Sequence, residues 1–293
     1  MLSDPRRRPP STYVVQDQQH PEEPTRLHLQ DQLMTACMGG VLSEQPDPTI
    51  FQRILDIGCG TGGWLIETAQ SYPDIPSLVG VDLNNNVLDY ARLQADAVAL
   101  GSRVEFHQMD VLRILEFPDA SFDLVNQRFA QGYLRTWDWP KLLHEAQRVA
   151  RPGGIVRLTE AEIDTNSRSP ALNRLNTQLI QALYQAGHYF TPHEDGVTAH
   201  LAKLMHRYGV RDIQTRVDTG AFRAGTPEGQ LFREEVRLMY RVAVPFIKRW
   251  VRLPDDYEHL YHQALADMQS PDFLVTVTLL TVWGRNEAIE EAS

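Results

Sequence analysis

Cysteine is almost missing from this sequence: Cys37 and Cys59 are the only two in 293 residues. That count excludes a disulfide framework and suits a reducing cytoplasm. Long apolar runs are missing as well. The longest, residues 273–283, is too short to span a bilayer, so no stable membrane insertion is expected. Basic residues are in deficit, with 28 Lys and Arg against 38 Asp and Glu and a formal net charge of −10. Nonspecific attraction to a phosphate backbone therefore has no global support, and no nucleic-acid partner is expected. The opening "MLSDPRRRPPSTY" has arginines but no apolar stretch behind them, which speaks against a secretory signal. Internal repeats and low-complexity tracts are also lacking. With 42% apolar residues the chain can bury a full core, and its length suits one elaborated α/β domain.

The first dozen residues are rich in Pro, Ser and charge and are expected to be mobile at their tip. From Pro24, the apolar positions Leu27, Met34, Cys37, Met38 and Val41 recur at helical steps and predict an amphipathic helix ending at Gly39-Gly40. Strands and helices then alternate: "RILDIG" strand, "GWLIETAQSY" helix, "SLVGVDL" strand, "NVLDYARLQADAVAL" helix, "VEFHQMD" and "FDLVNQ" strands, "WPKLLHEAQRVA" helix, "GIVRLTEAE" strand. "RPGG", residues 151–154, reads as a turn between helix and strand. This alternation predicts a doubly wound, mostly parallel sheet whose carboxyl edge is the place for a ligand. Further on, two helices precede the strand "RDIQTRVDTGAF". Residues 228–250 and the segment "DDYEHLYHQALADM" then read as one helix each before a final strand. The expected divisions are an N-terminal segment and helix at 1–45, a core at 46–225, a helical cap inserted at 226–272, and a last strand and tail at 273–293.

"ILDIGCGTGGW", residues 54–64, sets Gly58, Gly60 and Gly62 at alternating positions after an apolar strand that carries Asp56. Missing Cβ atoms let a ligand approach the backbone, and the helix that follows offers unpaired N–H groups. The spacing is G-x-G-x-G, not the pyrophosphate fingerprint G-x-G-x-x-G. Asp82 follows at the end of the second strand, where an acidic side chain can accept from both ribose hydroxyls. Asp110 ends the third strand, within reach of an adenine amino group. Together these positions describe an adenosine without a pyrophosphate. Both aspartates also stand where a helix or turn cap would, a role that Asn84 or Asn85 can fill in place of Asp82.

On these residues the chain resembles the class I S-adenosylmethionine-dependent methyltransferases. The motifs run in order from Arg53 to Glu162: "ILDIGCGTGG", "VGVDLN" with Asp82 and Leu83, "MDV" with Asp110 and Val111, "FDLVNQR" with Asn126, and "RVARPGGIVRL". The resemblance implies a seven-stranded Rossmann-like fold, S-adenosylmethionine as cofactor, and its amino-acid end near Gly58 and Asp56. Tyr13 in "STYVV", with Arg26 and Gln30 one turn apart, resembles the lead segment of teleocidin-type natural-product C-methyltransferases, which folds over the cofactor as a lid. A mobile tail and an ordinary packing helix is the plainer reading of the same residues.

A sulfonium methyl is already activated, so the protein must mainly align a nucleophile and exclude water. Glu160 and Glu162, two apart at the end of the fifth strand, are the candidates for a base or cation stabiliser; an ion pair with Arg128 or Arg157 is the alternative. Arg128 and Phe129 after the fourth strand, and Arg237 and Tyr240 on the cap, are the candidates for the substrate. The stripe Arg233, Arg237, Arg241 suits an anion, but Glu234 and Glu235 beside it also permit a self-paired face. The pairs His188/His193 and His259/His262 lack a third ligand at metal spacing, so no metal site is expected, although a prenyl diphosphate substrate would admit Mg²⁺. The expected activity is methyl transfer to a small, largely apolar metabolite at a C, O or N atom, with carbon favoured. The alternatives are a quinone or lipid methyltransferase and a cofactor-binding regulatory or scaffold subunit. A homo-oligomer formed through the N-terminal segment or the cap is a further expectation.

Overall fold

A computed structural model of the chain describes residues 12–17 and 20–287. The arginine-rich first residues, expected to be mobile, and residues 288–293 of the tail lie outside the described residues. Seven strands form one sheet: β1 Arg53–Ile57, β2 Ser77–Asp82, β3 Val104–Gln108, β4 Phe122–Arg128, β5 Ala150–Ala161, β6 Val210–Arg223 and β7 Leu274–Asn286. Their order is β3-β2-β1-β4-β5-β7-β6, and all are parallel except β7, which runs antiparallel to both its neighbours. This is the Rossmann-like, doubly wound sheet that the alternation predicts.

Adjacent residues of a strand point to opposite faces, and the two faces feed two cores. Ile54, Leu78 and Leu124, paired across β2-β1-β4, pack with Trp64, Leu65 and Leu88 from helices α2 (Gly63–Ser71) and α3 (Asn85–Ala97). Their neighbours Leu55, Val79 and Val125 face the other core, where helix α4 (Trp139–Val149) supplies Trp139, Leu142 and Leu143. Each such side chain, fully buried, contributes about 1.5–3 kcal/mol.

Helix α1 (Glu23–Cys37) precedes the sheet, and α5 (Pro170–Gln185) and α6 (Thr198–Arg207) follow β5. Between β6 and β7 come α7 (Pro227–Val242), α8 (Val244–Trp250) and α9 (Tyr257–Asp267). β6 and β7 pair up to Arg223 and Leu274, so this insertion leaves and re-enters at the carboxyl edge of the parallel strands. There α7 packs on α1, while α8 and α9 pack on α5. Capping starts these helices sharply: Ser169 accepts from the Leu172 N–H, Thr226 accepts from the Gly229 N–H, and a proline follows each cap.

Two local expectations need correction. The single helix expected over residues 228–250 is broken at Ala243, because Pro245 has no N–H and its ring crowds the preceding turn. "RPGG" is not a link between helix and strand. It lies inside β5 as an irregularity, where the pairing jumps from Phe122↔Ala150 to Leu124↔Ile155 and Gly153 takes φ +75°.

Candidate active site

β1 delivers the chain into the glycine turn at the carboxyl edge. Gly58 stands at φ +71°, and a Cβ there would lie 2.5 Å from the Tyr133 hydroxyl; at Gly62, φ +72°, it would lie 2.6 Å from the Phe106 ring. Both positions need glycine for conformation and for space. The turn is tied to β2 by the Gly58 and Cys59 N–H groups, which donate to the Val81 carbonyl at 2.8 and 3.0 Å. Asp82 completes the tie, accepting from the Gly60 N–H at 3.0 Å and the Asn84 N–H at 2.8 Å. Burial raises its pKa, and those N–H groups pull the other way. Asn84 itself caps α3 by accepting from the Asn86 N–H. Leu83 beside it is 52% exposed. Asp110 accepts from the Leu112 N–H at 3.0 Å and lies 3.4 Å from Arg113, so it closes its own turn next to the buried Val111.

Under the glycine turn runs a buried chain of polar groups. Asp56 accepts from the Asn126 amide at 2.7 Å, and the Asn126 carbonyl oxygen accepts from Arg157 at 2.6 Å. Arg157, fully buried, also forks onto Glu44 at 2.7 and 3.2 Å. Burial pushes Glu44 up, but the charge and hydrogen bonds of Arg157 outweigh it and leave the carboxyl below its ordinary range. Asp56, one residue deeper in the chain of contacts, is instead pushed up by burial to about 7. Asn126 therefore sits beneath the site with both polar ends engaged, and it orients Asp56.

Tyr13 and Arg26 meet, and what joins them is Glu23. Arg26 forks onto Glu23 at 2.8 Å through two nitrogens and reaches Gln30 at 3.2 Å, Glu235 of α7 at 3.3 Å and the Tyr13 hydroxyl at 3.2 Å. Tyr13 donates to Glu23 at 2.6 Å. This cluster bolts the N-terminal segment, α1 and the cap together. The same segment also holds the turn after β4, with the Val14 N–H donating to the Gly132 carbonyl and the Thr12 hydroxyl donating to that of Tyr133, both at 2.8 Å.

The candidates for the substrate are mostly engaged elsewhere. Arg128 pairs with Asp31 and donates to Thr35, both on α1. Arg237 holds Glu234 at 2.7 Å and lies 3.6 Å from Glu22, Arg241 reaches Glu22 at 3.2 Å, and Arg233 donates to the Leu265 carbonyl. The buried Tyr240 hydroxyl donates to Asn176. Phe129 stands in the left-handed region at φ +59°, ψ +38°, a strained start to the short turn Ala130–Gly132.

Glu160 anchors that turn. It is fully buried and accepts from the Ala130 N–H at 2.6 Å and the Gln131 N–H at 3.3 Å. Burial pushes its carboxyl up to about 8, against those N–H groups. Neither Arg128 nor Arg157 pairs with it. Glu162, just past β5, accepts from the Thr198 hydroxyl at 3.0 Å and lines a separate cleft of about 580 Å³ with Thr165 and His193. The two glutamates thus part company. Around Glu160 stand residues that carried no motif. Tyr189 donates to the Gln131 side chain at 3.1 Å, and the His188 ring, whose pKa burial lowers, contacts the Gln131 carbonyl at 2.8 Å. The Tyr133 hydroxyl and the Gln127 side-chain oxygen are buried with no hydrogen-bond partner among the described residues. The one signal for Tyr133 in the sequence is its place in the turn that leaves a strand at the ligand edge.

A glycine turn without Cβ atoms, an acidic residue fastened at the end of β2, and an unanswered hydroxyl above the turn together make a cradle that fits an adenosine cofactor. Sheet order and cradle define a Rossmann-like enzyme class. Residues 54–154 match the family model of a methyltransferase domain. The chain is 40% identical over 129 residues to a demethylmenaquinone methyltransferase of Deinococcus radiodurans, a stretch that covers 44% of this chain and 51% of that protein. It is 25% identical over 280 residues to the N-methyltransferase gliN of Aspergillus fumigatus, covering 90% of this chain and 93% of that one. A solved phosphoethanolamine N-methyltransferase 2 of Haemonchus contortus, in complex with phosphomonomethylethanolamine and S-adenosylhomocysteine, shares the fold. Its TM-score is 0.57 at 18% identity, over 94% of this chain and 61% of that one. Residues 54–154 are thus a methyltransferase domain, while the chain as a whole spans only about half the length of the first curated relatives it matches. Among the described residues no helix is long and apolar enough to cross a membrane.

Proposed function

We propose that the chain methylates a small, largely apolar metabolite at an atom that gives up a proton, and that the acceptor lies between the glycine turn and the Phe129–Tyr133 turn. The observation that carries this reading is Glu160, a carboxyl buried at the end of β5 and pushed up to about 8, strong enough to take a proton near neutrality. The bound cofactor supplies an activated methyl group. Asp82 would hold its ribose, and Asp56 and Gly58 would face its amino-acid end. Phe129 and Tyr133 give the acceptor an apolar wall. The N-terminal segment and the cap, locked by Arg26, exclude water from the edge. A carbon acceptor is favoured, because an enolisable carbon must lose its proton before the new bond forms and an alkene must lose one from the resulting cation afterwards, and either proton needs a base close by.

Turnover should rise with pH through about 8, as Glu160 loses its proton. Glu160→Gln keeps the shape and removes the base, and should lower turnover about a hundredfold or more while cofactor binding holds. Equal turnover of variant and parent on an identified acceptor would leave alignment and desolvation to carry the reaction. A quinone-type acceptor is the second reading, favoured by the 40% identity to the Deinococcus enzyme. Incubating the chain with a demethylated isoprenoid quinone and reading the gain of one methyl by mass spectrometry separates the two. Cofactor binding with no small-molecule turnover would instead favour a regulatory subunit.

A further inference from the structure

The Tyr133 hydroxyl is a buried polar atom with no partner among the described residues, set against the Cα of the one glycine that opens the cofactor turn. A buried hydroxyl left unanswered is costly, so its persistence at this point calls for a reason. Its surroundings supply one. Three carboxylates, Asp56, Asp82 and Glu160, act on it, Glu160 most strongly, and each has its own pKa raised by burial. The nearby cation Arg128 is taken up by Asp31. Arg157, the other cation of the neighbourhood, is held by Glu44 and Asn126. Burial holds these carboxyls back from ionising in the unliganded chain, so a positive charge brought beside the Tyr133 oxygen above Gly58 would be met by that dipole and would favour their charged forms.

S-Adenosylmethionine carries two positive groups, an ammonium and the sulfonium. The hydroxyl lies on the side of the glycine turn toward Glu160 and the Phe129–Tyr133 turn, where the acceptor is placed by the reading above, on which this inference rests. We propose that Tyr133 is the residue of this chain that meets the sulfonium end of the cofactor, its hydroxyl oxygen above Gly58 turned to the positive charge. Its anchoring follows from the same contacts. Glu160 holds the turn from below through the Ala130 and Gln131 N–H groups, and Thr12 and Val14 hold it from above through the Tyr133 and Gly132 carbonyls. Tyr133 is thus a positioning residue for the charged ligand, fixed by the base on one side and the N-terminal segment on the other.

S-Adenosylhomocysteine lacks the sulfonium charge and keeps the ammonium, so the pair of ligands isolates the contact. Calorimetric titration of the parent and of Tyr133→Phe with each ligand tests it. The variant should bind S-adenosylmethionine about tenfold more weakly, hold S-adenosylhomocysteine within about twofold of the parent, and melt without ligand at a temperature no lower than the parent. Equal shifts for the two ligands, no shift for either, or a lower melting temperature would each overturn the proposal. Asp82→Ala serves as the control for the reading beneath it. Unchanged S-adenosylmethionine affinity in that variant would mean that the cofactor does not lie along this edge; weakened affinity there with no charge-selective loss in Tyr133→Phe would sink the Tyr133 assignment alone.

Discussion

Arg157 is a fully buried side chain, and Tyr133 is a half-buried one whose hydroxyl is buried. Every guanidinium nitrogen of the first is answered, while the hydroxyl of the second, packed on Gly58, has no hydrogen-bond partner among the described residues. The carboxylates around them follow suit. Glu44, gripped by Arg157, is held below its ordinary pKa, whereas burial raises Asp56, Asp82 and Glu160, Asp56 in spite of the charges of Arg128 and Arg157. Burying a charge costs several kcal/mol unless a partner offsets it. The region around Arg157 closes that account internally and needs nothing else. The region around Tyr133 leaves a hydroxyl without a partner among the described residues and carboxyls that burial keeps from ionising, groups that a cation bound at the ligand edge would stabilise. The Tyr13–Glu23–Arg26–Glu235 cluster belongs with the first kind, since its charges are spent on joining the N-terminal segment to the cap.

The strongest way to break the comparison is to remove the cation from the closed region. Arg157→Met should destabilise the fold by about 3–5 kcal/mol, because Glu44 is then buried without a partner. Adding Glu44→Gln should recover part of that loss, since the two sites share one interaction. Urea melts of the single and double variants would show it. A single variant within about 1 kcal/mol of the parent would mean that water, not Arg157, satisfies Glu44.

The ligand edge responds through the cofactor. Asp82→Ala should cost about 1.5–3 kcal/mol in S-adenosylmethionine affinity, the scale of a charge-assisted hydrogen bond, while the unliganded fold persists. Titration calorimetry reads it, and unchanged affinity would remove Asp82 from the cofactor.

These outcomes track what was legible beforehand. The glycine turn, Asp82 and the order of the strands could be read because each is a local pattern: a strand, a turn and a helix within about thirty residues. The seven strands and the inserted helices were likewise carried by periodicity. What periodicity cannot carry is a partner far away in sequence. Glu44 meets Arg157 across 113 positions, and Glu235 meets Arg26 across 209, so neither acid announces itself. Arg237 was legible in part: Glu234 beside it allowed the self-paired face, which the structure shows at 2.7 Å, whereas Glu22, from the N-terminal side of α1, comes within 3.6 Å unannounced. Glu160 and Glu162 shared a face by strand alternation, but β5 ends between them, and beyond its end Glu162 follows the α6 start instead.

Acidity distinguishes the two regions by sign. Asp56 and Glu160 ionise later in the folded chain than in the unfolded one, so the native state binds the extra protons between the ordinary carboxyl range and about 7 to 8. Stability should therefore fall as pH rises through that window. Glu44 acts oppositely: its folded pKa is depressed, so its contribution is present above the ordinary carboxyl range and is lost as pH falls below it. Melting Glu160→Gln and the parent from pH 5 to 8.5 isolates one such term. The variant should gain on the parent as pH climbs, and parallel curves would show that Glu160 stays ionised throughout.

The smallest effect is expected where charges meet water. Arg237 is 27% exposed at its side chain and paired with the 41% exposed Glu234, so solvent screens the pair on both sides. Hydrogen bonding to Glu234 raises the guanidinium pKa, but at this exposure that shift carries little stability. Arg237→Ala should change the unfolding free energy by under about 1 kcal/mol, and less in high salt. Its effect on KM then decides what the residue is for. An unchanged KM on an identified acceptor leaves Arg237 as one of several contacts between the cap and Glu22. A several-fold rise in KM, with stability untouched, would show that the guanidinium leaves Glu234 to hold an anionic acceptor, and the cap would then belong to the ligand edge in charge as well as in position.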